Sequence, residues 1–130
     1  MDLHPAEIVI AIQIVQSAAA MVLAGLLLYF FHTFRHAFLH HWACSSLALA
    51  MYLGASAAAL GLYWRGPGYE FARFLASGIS LGAAYPHVVW LMIGTWEAVH
   101  QRTVTRRLEL TLVGAAAMFG IVSAVIGSVD

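Results

Sequence analysis

Apolar residues in this chain do not alternate with polar ones. They gather into four long runs separated by short polar breaks. The first run extends from about Ile8 to Phe31 and is interrupted only by Gln13, Gln16 and Ser17. The second runs from about Trp42 to Tyr63, the third from about Phe71 to Trp96 and the fourth from about Leu108 to Val129. Each reaches the length of about 20 apolar residues that a membrane-crossing helix needs. Backbone in hydrocarbon must satisfy its own hydrogen bonds, which leaves helices or closed barrels. Continuous Ala- and Leu-rich runs select helices, so the expected fold is all-α: four transmembrane helices in an up-down bundle of two hairpins, forming one domain over residues 1–130.

Composition agrees. The chain is 62% hydrophobic and only 9% charged, with a mean hydropathy of +0.84, whereas about a quarter of a soluble domain's residues are charged. Lipid is therefore the expected solvent and the bilayer the first partner. A formal net charge of zero gives no electrostatic footprint for nucleic acid. A single cysteine, Cys44, excludes an internal disulfide and a CxxC metal site and reads as a small buried hydrophobe. The start, Met1-Asp2-Leu3-His4-Pro5-Ala6-Glu7, is acidic where a signal peptide is basic. It reads as the opening of a retained first helix, with Pro5 in the first turn.

The breaks between runs set the topology. Arg65-Gly66-Pro67-Gly68 is a turn by composition. The His32–His41 and Glu97–Arg107 breaks contain neither Gly nor Pro, so helix is expected to extend into them. The first and third breaks share one side and hold Arg35, Arg102, Arg106 and Arg107, against Arg65 and Arg73 opposite. Four against two places these breaks in the cytoplasm and both termini outside. Tyr29, Phe34, Phe38, Trp42 and Trp96 form the expected inner aromatic belt; Tyr63, Trp64, Tyr69 and Phe74 form the outer one. Helix contacts are expected along small residues: Ala50, Gly54 and Ala58; Gly78 and Gly82; Gly114, Ala117 and Gly120. The same seams suit a homodimer or partner membrane helices. Both cytoplasmic breaks carry arginine ahead of an Ala/Gly-rich helix, the outline of a two-hairpin duplication.

Candidate chemistry centres on histidine. Phe30–Trp42 holds His32, His36, His40 and His41. The first three are spaced i, i+4, i+8, which on one helix face suits a shared transition metal; the competing reading makes them polar residues at headgroup level. His100 sits on the other cytoplasmic break. His87 follows Pro86 about sixteen residues into the third helix, roughly 24 Å along it, and an ionisable side chain at that depth is a functional candidate by default. Pro86 frees a carbonyl one turn earlier. His87 suits a haem b iron or a quinone's hydrogen bond, or bonds the freed carbonyl. Haem would need a second axial ligand, from His32, His36, His40 or His41, all roughly 10 Å nearer the cytoplasmic surface. Gln13, Gln16 and Ser17 are expected to join helices, with an outer-leaflet pocket as the alternative. Glu97 and Glu109 are expected to pair with Arg102 or Arg106 at the surface. No serine, cysteine or aspartate stands with a base for nucleophilic catalysis, so the chain as given is not expected to be an enzyme.

From Leu26 to Leu60 one helix ends in aromatics and an Arg/His-containing turn follows. Tryptophan then opens an Ala/Leu-rich helix, His41-Trp42-Ala43-Cys44-Ser45-Ser46-Leu47-Ala48-Leu49-Ala50-Met51-Tyr52-Leu53. This layout resembles the N-terminal multi-spanning sensory region of bacterial sensor histidine kinases and diguanylate cyclases, with histidine where arginine and tyrosine are usual. The resemblance covers about the first half and implies sensing, without assigning functional residues. Such receptors continue into cytoplasmic effector domains, whereas this sequence stops at Gly127-Ser128-Val129-Asp130. Either further helices precede an effector in a longer protein, or this is a small stand-alone membrane protein.

The leading expectation is a sensory module binding a small apolar or redox ligand, haem and metal included, between its helices. Its cofactor-binding candidates are His87, His36, His40 and His41; its metal candidates are His32, His36 and His40. A haem-b or metal-bearing membrane electron carrier is the first alternative and a small dimeric transporter the second. The lack of a mid-membrane carboxylate counts against proton antiport.

Overall fold

The computed structural model describes residues 4–127 and consists of four helices. They are α1 (Pro5–Phe34), α2 (Ala37–Trp64), α3 (Glu70–His100) and α4 (Arg106–Ile126). All four are long and apolar enough to cross a membrane, and they pack as an all-α bundle of two antiparallel hairpins. The chain is accordingly read as a multi-pass membrane protein. Residues 128 and 129, at the end of the fourth apolar run, lie outside the described residues.

Helix extends past the apolar runs into the first and third polar breaks, which hold neither Gly nor Pro. α1 begins with a capping box: the Glu7 carboxylate accepts from His4 N–H, and His4 Nδ1 accepts from Ala6 N–H. With 30, 28 and 31 residues, α1 to α3 are each about 42–46 Å long at the helical rise. The hydrocarbon layer is about 30 Å thick, so these helices tilt or reach past it. α1 and α3 both stop at a left-handed residue, Arg35 (φ 57°) and Gln101 (φ 53°), whose N–H closes the last turn onto Phe31 and Glu97. Glycine is the usual occupant of such a cap. Each hairpin thus turns on a non-glycine residue, over Arg35–His36 in the first and 101–105 in the second.

The helices pack serially, α1 on α2, α2 on α3 and α3 on α4. α4 has α3 as its one packing partner at backbone level. The core is made of small residues, among them Ala20, Ala24, Ala43, Ala48, Ala57, Ala83 and Ala124, while most large aliphatic side chains face outward. This inverts a water-soluble interior and fits helices that associate by close backbone approach in lipid.

The expected small-residue seams are partly realised. At α1–α2, Ser17 Oγ donates to the Ala50 carbonyl at 2.8 Å beside Gly54, where a Cβ would lie 3.3 Å from that hydroxyl. Ala58 is exposed, and Ala57 takes the buried place. At α3–α4 the tight point is Gly120: a Cβ there would fall 2.3 Å from the Leu81 carbonyl oxygen. A Cβ at Gly78 or Gly114 would meet nothing within 4 Å, so neither marks a close helix approach. Of the α1 polar patch, Ser17 alone bonds another helix. Gln16 is exposed, and the Gln13 side-chain oxygen is buried without a partner among the described residues.

Candidate functional site

The α2–α3 interface carries a ladder of polar contacts. Farthest from the hairpin turns, Ser56 and Ser80 hydroxyls meet at 2.7 Å. Midway, His87 Nδ1 lies 2.9 Å from the Ser45 carbonyl and 2.8 Å from its hydroxyl, and the Ser45 hydroxyl lies 3.0 Å from the His87 carbonyl. The consistent assignment is reciprocal: Nδ1–H donates to the Ser45 carbonyl while Oγ–H donates to the His87 carbonyl. His87 therefore bonds the backbone of the neighbouring helix rather than the carbonyl freed by Pro86. α3 also remains helical through Pro86.

The third rung is the most elaborate polar constellation in the bundle. His41, in the second turn of α2, is 7% exposed, and Glu97, near the end of α3, is 4% exposed. His41 Nδ1 lies 2.8 Å from Glu97 Oε2, and its Nε2 lies 3.4 Å from Glu109 Oε1, on the first turn of α4. Each carboxylate has a further donor: the Val104 N–H bonds Glu97 Oε1 at 2.7 Å, and the Trp90 indole N–H bonds Glu109 Oε1 at 3.1 Å. A neutral imidazole has one N–H, and would set its bare nitrogen against a carboxylate oxygen. A doubly protonated ring donates to both carboxylates. His41 thus links α2, α3 and α4 through its two ring nitrogens, and each carboxylate has one further donor.

Close packing holds the clamp in place. A Cβ on Gly94 would lie 2.5 Å from Trp42 Cδ1 and 3.2 Å from His41 Cβ, so glycine lets the α2 wedge of His41 and Trp42 seat against α3. Trp42 is thereby half-buried between helices, with its indole N–H unpaired, rather than standing free in an aromatic belt.

Several expectations change. Glu97 and Glu109 do not pair with arginine: the only ion pairs among the described residues are those of His41. Hydropathy ended the third helix at Trp96; α3 continues to His100, which brings Glu97 inside the bundle. His32, His36 and His40 do not share a helix face. The left-handed Arg35 breaks the helix, leaving His32 in the last turn of α1, His36 as the N-cap of α2 and His40 in the first turn of α2. Among the described residues no group of three His, Cys, Asp or Glu is arranged to hold a metal. The His41 clamp fails as a metal site for a clear reason: its carboxylates lie on opposite edges of the ring and do not converge on one point. For haem, His87 commits Nδ1 to Ser45 and keeps Nε2, whereas His41 faces a carboxylate with each nitrogen. His40 is exposed and lies 3.8 Å from Cys44 Sγ.

One further feature had no sequence signal. A groove of about 520 Å³ runs along α3 between α2 and α4, with Met51, Phe74, Gly78, Pro86, Trp90 and Ile121 in its walls. Its surface is almost wholly apolar. Gly78 supplies empty width, and Trp90 connects its wall to Glu109 and so to the clamp. No protein-family model, curated protein or solved structure matches this chain.

Proposed function

We propose that this chain is a sensory module of a bacterial inner membrane that takes a small apolar ligand into the α2–α3–α4 groove and answers by moving α4. The observation that carries this reading is the groove, whose one side is a helix that packs on the backbone of α3 and meets α2 through the Glu109–His41 contact. Its nearly unbroken apolar wall favours a hydrocarbon ligand over a redox group, whose carbonyls or propionates would need polar partners. Two contacts hold α4 in its present place: Gly120 against Leu81, and the Glu109–His41 contact at the turn end. A ligand that wedges the groove acts on both, and small shifts between packed helices are a known form of switching. The arginine asymmetry supports a cytoplasmic position for the hairpin turns, with both termini outside. The layout of residues 26–60 supports the sensory assignment.

The test uses the groove's own fluorophore. Bromododecane, a heavy-atom quencher with an aliphatic tail, is titrated into purified protein in neutral detergent. The expected result is saturable quenching of a tryptophan component that Trp90→Phe removes. Gly78→Leu, which fills the groove where a Cβ meets nothing within 4 Å, is expected to abolish the saturable phase. Gly25→Leu, equally unobstructed but on α1, leaves it intact. Equal quenching in the two leucine variants would remove the groove as a binding site.

A further inference from the structure

The His41 clamp has a consequence for the surface around it. The acidic side chains among the described residues are Glu7, Glu70, Glu97 and Glu109. Glu7 and Glu70 open α1 and α3 at the far end of the bundle. Glu97 and Glu109 are the only carboxylates at the turn end, and both are turned onto His41. Arg35, Arg102, Arg106 and Arg107 are all exposed there, with no carboxylate partner. A chain with a formal net charge of zero thus presents a rim at one end whose exposed charged residues are all arginines.

The rim is not flat. α1 and α4 do not pack against each other. Between their turn ends lies a notch of about 530 Å³, lined by Phe31, His40, Val104, Arg106, Glu109 and Leu110, with both polar and apolar surface. Glu109 contributes to its floor, but its Oε1 already accepts from Trp90 and faces His41. Arg106 and His40 are exposed donors at the mouth, and Phe31 and Leu110 are apolar walls.

We infer that this notch holds the phosphate headgroup of an anionic phospholipid, with Arg106 and His40 on the phosphate and the glycerol end of the acyl chains against Phe31 and Leu110. Arginine presents a planar fork of donors that matches phosphate oxygens. Basic pockets between transmembrane helices at the membrane boundary suit anionic headgroups. The apolar walls distinguish a lipid from a free ion: dissolved phosphate would use the arginine and gain nothing from Phe31 and Leu110. The site does not depend on what enters the α2–α3–α4 groove.

Native mass spectrometry of the intact protein released from mixed micelles containing phosphatidylglycerol or phosphatidylcholine tests this. Phosphatidylglycerol is expected to be retained preferentially. Arg106→Gln is expected to reduce its retention about five-fold, the equivalent of ~1 kcal/mol for one cation at an anionic surface. His40→Gln should reduce it further in combination, whereas Arg65→Gln, at the opposite end, leaves it unchanged. Arg106 has no ion-pair partner to lose, and unchanged far-ultraviolet dichroism verifies that the variant is folded. Equal retention of the two lipids overturns the proposal. So does an equal loss in Arg106→Gln and Arg65→Gln, which would indicate a diffuse surface potential without a site. Displacement of the lipid by millimolar inorganic phosphate would identify an ion site and overturn the lipid assignment.

Discussion

Replacing His41 by alanine is expected to destabilise the bundle by about 3–5 kcal/mol, the cost of leaving a buried charge without its partner. The variant sets Glu97 and Glu109 in a tight, water-poor junction with only the Val104 N–H and the Trp90 indole to answer them. The turn end is then expected to open. Reversible unfolding in mixed micelles, followed by circular dichroism, measures the loss; a change below about 1 kcal/mol would mean that the contact is solvated and no more than a surface pair. A companion variant separates stability from positioning. Replacing His41, Glu97 and Glu109 together by leucine removes every buried charge at once, and such exchanges are often neutral or stabilising. The triple variant is expected to recover most of the stability lost by His41→Ala. The clamp then acts mainly by fixing the register of three helices, since no apolar trio specifies which atoms must meet.

The second large effect is expected at Gly120. A methyl group there would lie 2.3 Å from the Leu81 carbonyl oxygen and 2.7 Å from the Leu81 carbonyl carbon. Those atoms belong to the α3 backbone and cannot rotate aside, so Gly120→Ala must push α4 away from α3. Overpacking typically costs about 1–3 kcal/mol. The upper end applies here, because among the described residues α3 is the one helix whose backbone α4 approaches closely. Faster amide hydrogen exchange across α4, with α1 and α2 unchanged, is the expected signature. Gly114→Ala is the matched control on the same helix: a methyl there meets nothing within 4 Å, and exchange in α4 should slow slightly, since alanine favours helix over glycine by about 1 kcal/mol. Similar behaviour of the two variants would contradict the close-approach account.

The fold was legible because hydrocarbon imposes few solutions. Four apolar runs of sufficient length, with breaks too short for any other topology, leave little except two helical hairpins. The polar site was less legible, and the reason lies in how polarity was interpreted. His41 stands in a histidine-rich break and looks like a headgroup residue by composition. Glu97 interrupts hydropathy at the end of the third run and looks like the start of a loop. Periodicity held the missing signal. His41, Ser45 and Ala48 share a buried face of α2, and Pro86, Ile93, Gly94 and Glu97 share one on α3. Polar residues falling on the apolar stripe of a helix, at spacings of three and four, are placed for each other rather than for water.

His32, His36 and His40 illustrate the opposite error. Their spacing is helical, yet Arg35 takes a left-handed conformation between them, and no glycine or proline announced that break. Which helix faces which neighbour was also beyond reach. The α2–α3–α4 groove exists because α2 and α4 both pack on α3 without packing on each other, a tertiary fact with no local trace. His87 stood out in the sequence as an ionisable residue deep in an apolar run, and it is half-buried. Its partner proved to be Ser45, and the pair joins two helices.

The central claim is that an apolar molecule in the groove moves α4 relative to α2. It is tested most directly by double electron–electron resonance between spin labels at Leu47→Cys on α2 and Leu112→Cys on α4, in a Cys44→Ser background and lipid nanodiscs. Adding dodecane is expected to shift the label separation by roughly 1–2 Å, the scale of helix shifts at switching interfaces, and Gly78→Leu is expected to abolish the response. An unchanged distance distribution at saturating dodecane, or the same shift in Gly78→Leu, would contradict it.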